Sequence, residues 1–348
     1  MTATFNNRFT ETYGTKYPFS CAALAFVGST PDLAIAACNA KVVGTFAVGM
    51  LPPPAIQNIT ATIRDNITES AGPLNINLLT IFTTEDVIDC ICDIQPEIVS
   101  FHWGAPKEDW VKRLKAAGIK IWHQVGTASD AKESADNGTD AIIAQGREAG
   151  GHNLGTLPLT ILIPEIVDAL GKDTMVLAAG GISDGRSIAA ALSLGADAVY
   201  VGSRLVASTE ANAHKDYKQL IVDTHSGTET VLTSIYGREM AEFNPLRVLK
   251  NSTTNDWHNN LDTLDSQTDA WPDIGRMSLM GQDLPINQFC SFPPVQNAEG
   301  NVKEMALSCG QGAGLIHNID SVDQIVTEMM DDAVHIIQAL HRKTHYSE

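Results

Sequence analysis

The amino-acid sequence predicts an α/β protein of the (β/α)8 class, a TIM barrel with eight parallel strands. Short apolar, β-branched runs alternate with helix-length segments through residue 201, and this alternation is typical of a parallel sheet with crossover helices. Eight such runs indicate that the sheet closes into a barrel. Two of the last runs end in glycine before a helical pattern, as they do at the phosphate-binding end of such barrels.

The elements follow in order along the chain. The predicted strands are Phe19–Phe26, Val42–Phe46, Leu74–Leu78, Ile98–Phe101, Ile119–Val125, Ala141–Ala144, Met175–Ala179 and Ala198–Val201. The predicted helices span residues 31–39, 56–68, 85–93, 107–117, 128–136, 160–170 and 185–194. Asp184 stands at the N-cap position of the last of these helices, and Gly195 follows that helix at the C′ position.

The alternation of strands and helices ends near residue 224, so we assign residues 1–224 to the barrel. Residues 225–300 are rich in Asn, Thr, Asp and Pro, and we interpret them as a cap or insertion over the barrel mouth, after the eighth strand. Residues 301–348 contain a glycine-rich loop and a run of apolar residues at helical spacing between Ser321 and Leu340. This run predicts a C-terminal helix that packs on the barrel.

The composition narrows the classes of function. Forty-one acidic residues against 23 basic ones give a formal net charge of −18, which disfavours binding to nucleic acid or to an anionic membrane. No apolar run approaches the ~20 residues that span a bilayer, and the first residues lack the pattern of a signal peptide. We expect a cytoplasmic monomer or homodimer with reduced thiols. No second Cys or His pair accompanies Cys90 and Cys92 at ligand spacing, so we expect no metal site.

Two glycine-containing turns predict a phosphate site. Gly180-Gly181 follows the seventh predicted strand, and Gly202-Ser203 follows the eighth. Glycine lets backbone N–H groups approach a phosphate without an intervening Cβ atom. The alternative is that both are only tight turns, and the pattern by itself does not separate a flavin from a sugar phosphate.

A lone histidine on a double-glycine turn is the candidate catalytic residue. His152 follows Gly150-Gly151 near the end of the sixth strand, on the face that carries the active sites of barrel enzymes. An imidazole there transfers protons near neutral pH or contacts substrate. The alternative is a buried structural histidine. Glu148 either orients that imidazole or is a solvated charge.

Amide side chains mark other strands. Asn75 and Asn77 alternate on the third strand, and Gln124 and Gln145 end the fifth and the sixth. Because amides both donate and accept hydrogen bonds, they suit a flavin ring or an amide-bearing ligand, or they pair with one another inside the barrel. The run Gly310–Gly314 is read as a loop at the barrel mouth, because too little chain follows it for a dinucleotide-binding unit.

Three of these stretches together resemble the nitronate monooxygenase family, formerly called 2-nitropropane dioxygenase. They are Ala144–His152, Ala178–Arg186 and Gly202–Arg204, and further matches are Gly237-Arg238, Arg247–Asn251, Phe292–Asn297 and Gly310–Gly314. The resemblance covers essentially the whole chain, and the motifs are specific for the superfamily rather than for one member. It implies an FMN enzyme on a TIM barrel.

The resemblance implies a role for each matching residue. The two glycine turns would hold the FMN phosphate, and Asn75 and Gln124 would contact the flavin ring or the ribityl chain. His152 corresponds to the family's active-site histidine. The residues expected at the cofactor are Ala22, Ala23, Leu24, Asn75, Gln124, Gln145, Gly150, Gly151, Ala179, Gly180, Gly181, Gly202, Ser203, Gln311 and Gly312.

The implied reaction is the oxidation of alkyl nitronates, such as propionate 3-nitronate, by O2 to a carbonyl compound and nitrite. His152 would hydrogen-bond the nitro oxygens, or abstract the α-proton of a neutral nitroalkane. One alternative is an NAD(P)H-dependent flavin reductase that acts on an enoyl thioester or a quinone. Two others are a barrel isomerase or lyase whose cup holds a phosphorylated substrate, and a flavin-binding protein without catalysis.

One stretch departs from the family pattern. After its first strand the family usually has a Pro-Met or Gly-Met pair whose backbone approaches the flavin N5 edge, and here the matching positions read Cys21-Ala22-Ala23-Leu24. A main-chain N–H donor does not depend on the identity of the side chain, so FMN binding is expected to survive this change. The altered wall bears on the preference for substrate and electron acceptor.

Overall fold

The structure, a computed structural model, describes residues 5–238, 245–265, 271–279 and 282–343. Its strands are β1 (Phe19–Cys21), β2 (Gly44–Ala47), β3 (Leu74–Leu79), β4 (Ile98–His102), β5 (Lys120–Val125), β6 (Ala141–Gln145), β7 (Gly151–His152), β8 (Met175–Ala179), β9 (Ala198–Val201), β10 (Thr230–Thr233), β11 (Leu246–Leu249), β12 (Asp273–Leu279), β13 (Gln282–Asn287) and β14 (Glu299–Gly300). Its α-helices are α1 (Arg8–Tyr13), α2 (Pro31–Asn39), α3 (Pro53–Asn66), α4 (Glu85–Ile94), α5 (Glu108–Ala116), α6 (Ala128–Asp136), α7 (Leu159–Leu170), α8 (Gly185–Ser193), α9 (Ser203–Val206), α10 (Lys215–Val222), α11 (Ser252–Trp257), α12 (Leu261–Asp265) and α13 (Val322–Lys343). The division of the chain at residues 224 and 300 stays a prediction.

Eight parallel strands form the barrel, in the order β1-β9-β8-β6-β5-β4-β3-β2. The ring closes between β1 and β2, where Ser20 and Val43 form a parallel bridge. The Cys21 N–H also donates to the Val43 carbonyl at 2.9 Å. Helices lie between successive strands along the chain, and the predicted (β/α)8 barrel is confirmed.

The outer layer takes its last helix from the end of the chain. Only the four-residue helix α9 directly follows β9, and the longer helix α13 packs against α8 and α2. Val326 and Met330 of α13 are buried in the same apolar cluster as Ile188 of α8 and Leu33 of α2. The predicted C-terminal helix is therefore confirmed, with the bounds Val322–Lys343.

Helix α1 packs under the amino-terminal end of the barrel. Phe9 and Tyr13 lie against Trp122 of β5, whose Nε1–H donates to the Tyr13 hydroxyl at 2.7 Å. These buried rings form the floor of the barrel, so its open end is the one at the carboxyl ends of the strands. The sequence analysis missed α1, although Asn7 caps it and Thr10 completes a capping box.

Two small antiparallel sheets accompany the barrel. In the first, β11 lies between β10 and β7, and β7 belongs to the connection from β6 to α7. Its register pairs Leu246 with His152 and Arg247 with Gly151. The second sheet has the order β13-β12-β14. The segment after residue 224 thus contains regular structure that its weak periodicity did not predict, because most residues of β12 and β13 are not buried and so give no apolar pattern.

Element bounds differ most from the sequence prediction in two places. β1 ends at Cys21 rather than at Phe26, because the chain turns into the barrel mouth there and Phe26 has a left-handed φ of 63°. Helix α3 begins earlier than predicted, at Pro53, because proline suits the first turn of a helix. The cap at α8 is confirmed, since the Asp184 carboxylate accepts the Ser187 N–H at 3.0 Å.

Candidate active site

A cavity of about 860 Å³ occupies the mouth of the barrel, where the loops after the strands converge. Most of the residues predicted at the cofactor line it, together with His152. They are Ala22, Ala23, Leu24, Gln124, Gln145, Gly150, Gly151, Ala179, Gly180, Gly181, Gly202, Ser203 and Gly312. Asn75 and Gln311 do not line it. The structure brings these residues to one place, and their roles toward a cofactor stay predictions.

No Asp, Glu, Lys or Arg side chain lines this cavity in the described part of the chain. The titratable side chains on its wall are two histidines and two tyrosines, His102, His152, Tyr200 and Tyr217. An anion inside such a cavity is stabilised by hydrogen-bond donors and backbone dipoles rather than by a paired cation.

The loops after β8 and β9 form a glycine cup, which we define as Gly180, Gly181, Gly202 and Ser203. Gly180 and Gly181 have left-handed φ values of 118° and 67°. A Cβ atom on Gly180 would lie 2.9 Å from the Ala149 backbone nitrogen. Among the described residues, the N–H groups of Gly181 and Gly202 donate to no protein acceptor. Gly180 therefore has no room for a side chain, and the cup offers free backbone donors.

The loop from Gly310 to Gly314 completes the cup from the far end of the chain. The Gly310 N–H donates to the Ser203 hydroxyl at 2.9 Å, and the Gln311 N–H donates to the Glu148 carbonyl at 2.8 Å. A Cβ atom on Gly150 would lie 2.5 Å from the Gly310 nitrogen. Close contact between these loops thus requires glycine, and the Gln311 side chain is exposed outside the cavity.

His152 is positioned by a strand rather than by a free loop. Its backbone pairs with Leu246 of β11, and its carbonyl accepts a hydrogen bond from Gln145 Nε2 at 3.0 Å. Its ring meets the Trp103 ring edge-to-face, with 4.6 Å between centroids. The half-buried imidazole lines the main cavity and an adjoining pocket of about 360 Å³.

The turn before His152 is held by side chains that do not face the cavity. Asn153 Nδ2 donates to the carbonyls of Gly146 and Ala149 at 3.2 Å each, and its Oδ1 accepts the Gly155 N–H at 2.9 Å. The Glu148 carboxylate accepts the N–H of Leu159 at 3.0 Å and so caps α7. Glu148 was expected either to orient the His152 imidazole or to be a solvated charge, and neither expectation included this contact with the N-terminus of α7.

The two asparagines of β3 lie at different depths. Asn75 is fully buried, and its Nδ2 donates to the hydroxyls of Thr45 and Ser100 at 3.1 and 3.0 Å. Asn77 lines the cavity and donates to the Ser100 carbonyl at 3.2 Å. Asn77 is thus the β3 amide that reaches the cavity.

The backbone after β1 has part of its hydrogen-bonding capacity committed within the protein. The Ala22 N–H donates to the Val201 carbonyl at 2.9 Å, and the Ala23 N–H donates to the Tyr200 hydroxyl at 2.7 Å. Burial raises the pKa of Tyr200 well above its usual value. These contacts hold the segment Ala22–Leu24 on the cavity wall and keep the Tyr200 phenol protonated.

His102, at the carboxyl end of β4, was missed by the sequence analysis. It is buried in the cavity wall, and desolvation, with a smaller contribution from His123, lowers its pKa to about 3. Its Nε2 atom has no hydrogen-bond partner among the described residues. The rule that singled out Gln124 and Gln145, a polar side chain at the end of a strand, would also have found His102.

Trp103, the next residue, has a left-handed φ of 58°, an uncommon conformation for a bulky side chain. The Thr80 hydroxyl donates to the Gly104 carbonyl at 2.7 Å and ties this turn to the helical turn that follows β3. Such backbone strain recurs at ligand-binding sites, where the surrounding structure holds it. Here it places the indole between Phe82 and His152.

Two further features bear on the kind of site. No group of three or more His, Cys, Asp or Glu side chains with metal-binding geometry occurs within the described ranges. None of the described helices combines the length and the apolar character that a membrane crossing requires.

A barrel whose mouth joins a glycine cup to an uncharged cavity, with a histidine on its wall, has the site of a TIM-barrel oxidoreductase. The family model described as nitronate monooxygenase matches residues 50–332, so the chain belongs to the nitronate monooxygenase family. The members of this family are flavin enzymes, and the expected oxidoreductase class is confirmed.

Two relatives and one solved structure illustrate the range of similar proteins. A probable nitronate monooxygenase of Bacillus subtilis is 28% identical over 373 residues, which cover 95% of this chain and 100% of the relative. A Rhodococcus jostii protein named (3aS,4S,5R,7aS)-5-hydroxy-7a-methyl-1-oxo-octahydro-1H-indene-4-carboxyl-CoA dehydrogenase is 27% identical over 369 residues, covering 97% of this chain and 98% of that protein. The structure of FabK from Thermotoga maritima aligns with a TM-score of 0.80 and 27% identity, over 98% of this chain and 100% of that one.

Proposed function

We propose that this protein binds FMN in the barrel mouth and oxidises alkyl nitronates with O2 to a carbonyl compound and nitrite. Membership of the nitronate monooxygenase family supports the reaction class. The observation that carries the proposal is the placement of His152 on the wall of an uncharged cavity beside the glycine cup.

The glycine cup fits the phosphate of FMN. The N–H groups of Gly181 and Gly202 are free to donate to phosphate oxygens, as the backbone of many phosphate sites does. Ser203 adds a hydroxyl that already accepts the Gly310 N–H and retains its own proton to donate. The cavity volume of about 860 Å³ lies in the upper part of the range of roughly 300–1,000 Å³ for ligand sites. This volume suits a cofactor together with a small substrate.

The same cavity suits an anionic head group. His152 is the residue assigned to the nitro oxygens, and its hydrogen bond to them is stronger in a largely apolar cavity than in bulk water. Edge-to-face contact with Trp103 and strand pairing with Leu246 restrict where the imidazole lies. With a neutral nitroalkane, the imidazole takes the α-proton instead. FMN, when bound, supplies the electron-accepting ring.

The first test is an absorbance spectrum of the purified protein, followed by anaerobic addition of propionate 3-nitronate. We expect flavin bands that change on addition of the nitronate, and nitrite once O2 is admitted. A colourless protein that takes up no added FMN would contradict the proposal and would favour the isomerase or lyase with a phosphorylated substrate.

A second candidate is an NAD(P)H-dependent enzyme that acts on an acyl thioester. The Rhodococcus jostii relative, whose name specifies a carboxyl-CoA substrate, favours it. Anaerobic addition of NADH or NADPH to a fresh sample separates the two candidates. Rapid bleaching of the flavin by either nucleotide, with no change on addition of a nitronate, would replace the first proposal with the second.

A further inference from the structure

We infer that the adjoining pocket is the route by which His152 releases to solvent the proton that it takes from a neutral nitroalkane, with Asp130 and Glu133 as the proton-accepting side chains. The inference rests on the proposed function, and specifically on the step in which the imidazole takes the α-proton. It assigns a role to a pocket that the proposed oxidation does not itself use.

His152 stands in a wall that two cavities share. Its side chain lines both the main cavity and the adjoining pocket, and so do Trp103, Gln124 and Gln145. Leu154 also lines the pocket and is 50% exposed, so the pocket reaches the protein surface. The imidazole therefore borders the substrate cavity and a second path to water.

The two cavities differ in charge. Within the described residues, the main cavity has no Asp, Glu, Lys or Arg on its wall, whereas the adjoining pocket has the exposed residues Asp130 and Glu133 of α6. Neither carboxylate forms an ion pair with a described Lys or Arg, and the neighbouring Lys132 is paired with Asp136 at 3.2 Å instead. Two unpaired negative charges attract a proton and stabilise an imidazolium on the same pocket wall. This difference in charge favours release of the proton into the adjoining pocket.

The buried part of the pocket wall is polar and uncharged. His123 Nδ1 and Ser134 Oγ are hydrogen-bonded at 2.9 Å, and Ser134 Oγ and Thr139 Oγ1 are hydrogen-bonded at 2.9 Å. Burial lowers the pKa of His123 to about 4, so this ring is neutral near pH 7 and does not repel an incoming proton. A pocket of about 360 Å³ with such groups on its wall has room for a chain of hydrogen-bonded water, which transfers protons.

The proton balance of this step explains why a second path to water matters. The Cα–H bond of the nitroalkane breaks, its electron pair stays on the substrate as the nitronate, and the proton moves to the imidazole of His152. The imidazolium then gives this proton through water to a carboxylate of α6 and so to solvent. A substrate that fills the apolar main cavity displaces the water there. Without the pocket the proton returns to carbon, whereas a nitronate supplied as substrate brings no such proton.

The double variant Asp130→Asn/Glu133→Gln, called the pocket variant below, tests the route with two substrates. We expect kcat with nitroethane to fall by about tenfold, less than the roughly 10²-fold cost of losing the base itself, while kcat with ethane nitronate stays unchanged. Rising concentrations of imidazole buffer should restore the activity with nitroethane, because small buffer molecules carry the proton away directly. An equal loss with both substrates, or no loss with nitroethane, would overturn the inference.

Glu165→Gln/Asp168→Asn is the matched control. These two exposed residues of α7 are one Glu and one Asp at the same spacing as the pocket pair, and they line neither cavity. The control therefore makes the same change in net charge. If it lowered kcat with nitroethane as much as the pocket variant does, only net charge would matter, and the route would be contradicted.

Proton exchange separates this inference from the proposed oxidation. In D2O without O2, proton NMR follows the replacement of the α-protons of nitroethane by deuterium, which requires His152 to take a proton and to release it before it returns to carbon. We expect the wild-type protein to exchange faster than the pocket variant, and His152→Ala to exchange no faster than buffer. If no nitronate is oxidised once O2 is admitted, the proposed function fails, while this exchange still tests the route. Equal exchange in the wild type and the pocket variant, or no exchange above that of buffer, would overturn the inference.

Discussion

The two sides of the barrel mouth present different chemical groups to the cavity: one presents mainly backbone N–H groups, and the other mainly apolar side chains. The glycine cup, after β8 and β9, presents backbone N–H groups and at Gly180 requires the absence of a Cβ atom. The loops after β2 and β3 present apolar side chains to the cavity, among them Met50, Leu51 and Phe82. We therefore expect a substitution in the cup to act on binding of the FMN phosphate, and a substitution in the loops after β2 and β3 to act on the apolar wall of the cavity.

The two sides also differ in how they respond to pH, and we expect the largest effect here. No titratable side chain belongs to the cup, whereas His102 is buried in the cavity wall and His123 is buried at the adjoining pocket. Burial lowers their pKa values to about 3 and about 4. Below a pH of about 6.5 the unfolded chain binds protons that the folded histidines do not. As the pH is lowered from about 6.5, the free energy of unfolding should therefore decrease by about 1.4 kcal/mol per pH unit for each histidine.

Urea unfolding between about pH 8 and about pH 4.5 measures this slope. The double variant His102→Gln/His123→Gln should have a shallower slope, while His317→Gln, at an exposed position, should not change it. The same slope in all three proteins would show that neither buried histidine is responsible.

His152 lies between the two sides, and its loss should separate binding from turnover. His152→Ala is expected to retain FMN, because the cup is unchanged, and to lower turnover by roughly 10²-fold. The flavin absorbance ratio after gel filtration and steady-state nitrite release measure the two effects. Wild-type turnover in His152→Ala would remove this residue from the mechanism.

A methyl group in the cup should act on cofactor retention. Gly180→Ala forces a side chain onto a φ of 118° and places Cβ 2.9 Å from the Ala149 nitrogen, so we expect FMN affinity to fall by about tenfold. Gly195→Ala is the matched control, because Gly195 has a φ of 102° but lies after α8, outside the cavity. If both variants lost FMN equally, the effect would come from general destabilisation.

The smallest expected effect concerns the support of Trp103. Thr80→Val removes the hydrogen bond to the Gly104 carbonyl, which should cost about 1 kcal/mol of stability and loosen the turn that carries the indole. We expect KM for hexane nitronate to rise while FMN affinity stays constant. Thr83→Val, which loses a hydrogen bond to Leu79 instead, is the comparison. A shift in FMN affinity would indicate that the two sides are coupled.

The sequence was sufficient for the barrel because its elements carry local signals. Each barrel strand is a short apolar run, and Asp184 marks the N-terminus of α8 as its N-cap residue. The end of β1 was not predictable, because the apolar run continues to Phe26 while the backbone leaves the sheet. The role of α13 in the outer layer depends on contacts with α8 and α2 that no local pattern encodes.

The sequence predicted which positions of the chain contribute to the candidate site, but not how deeply each side chain is buried relative to the cavity. Alternation placed Asn75 and Asn77 on one face of β3, yet only the structure shows that Asn75 lies below the cavity and Asn77 at its wall. The pairing of His152 with β11 could not be predicted either, because β7 has only two residues and its partner strand lies nearly a hundred positions later in the chain. Trp103 gave no signal, because a left-handed backbone is not expected at tryptophan.

The pairing of β7 with β11 has a consequence for biosynthesis. A nascent chain that has emerged through α9 contains all eight barrel strands, yet it lacks both the strand that holds His152 and the helix that packs on α8 and α2. Folding during translation proceeds from the N-terminus. Activity should therefore be absent from shorter nascent chains and appear only when the last of these elements has been made. We expect ribosome-arrested chains of increasing length to release no nitrite from nitronates until α13 has left the ribosome.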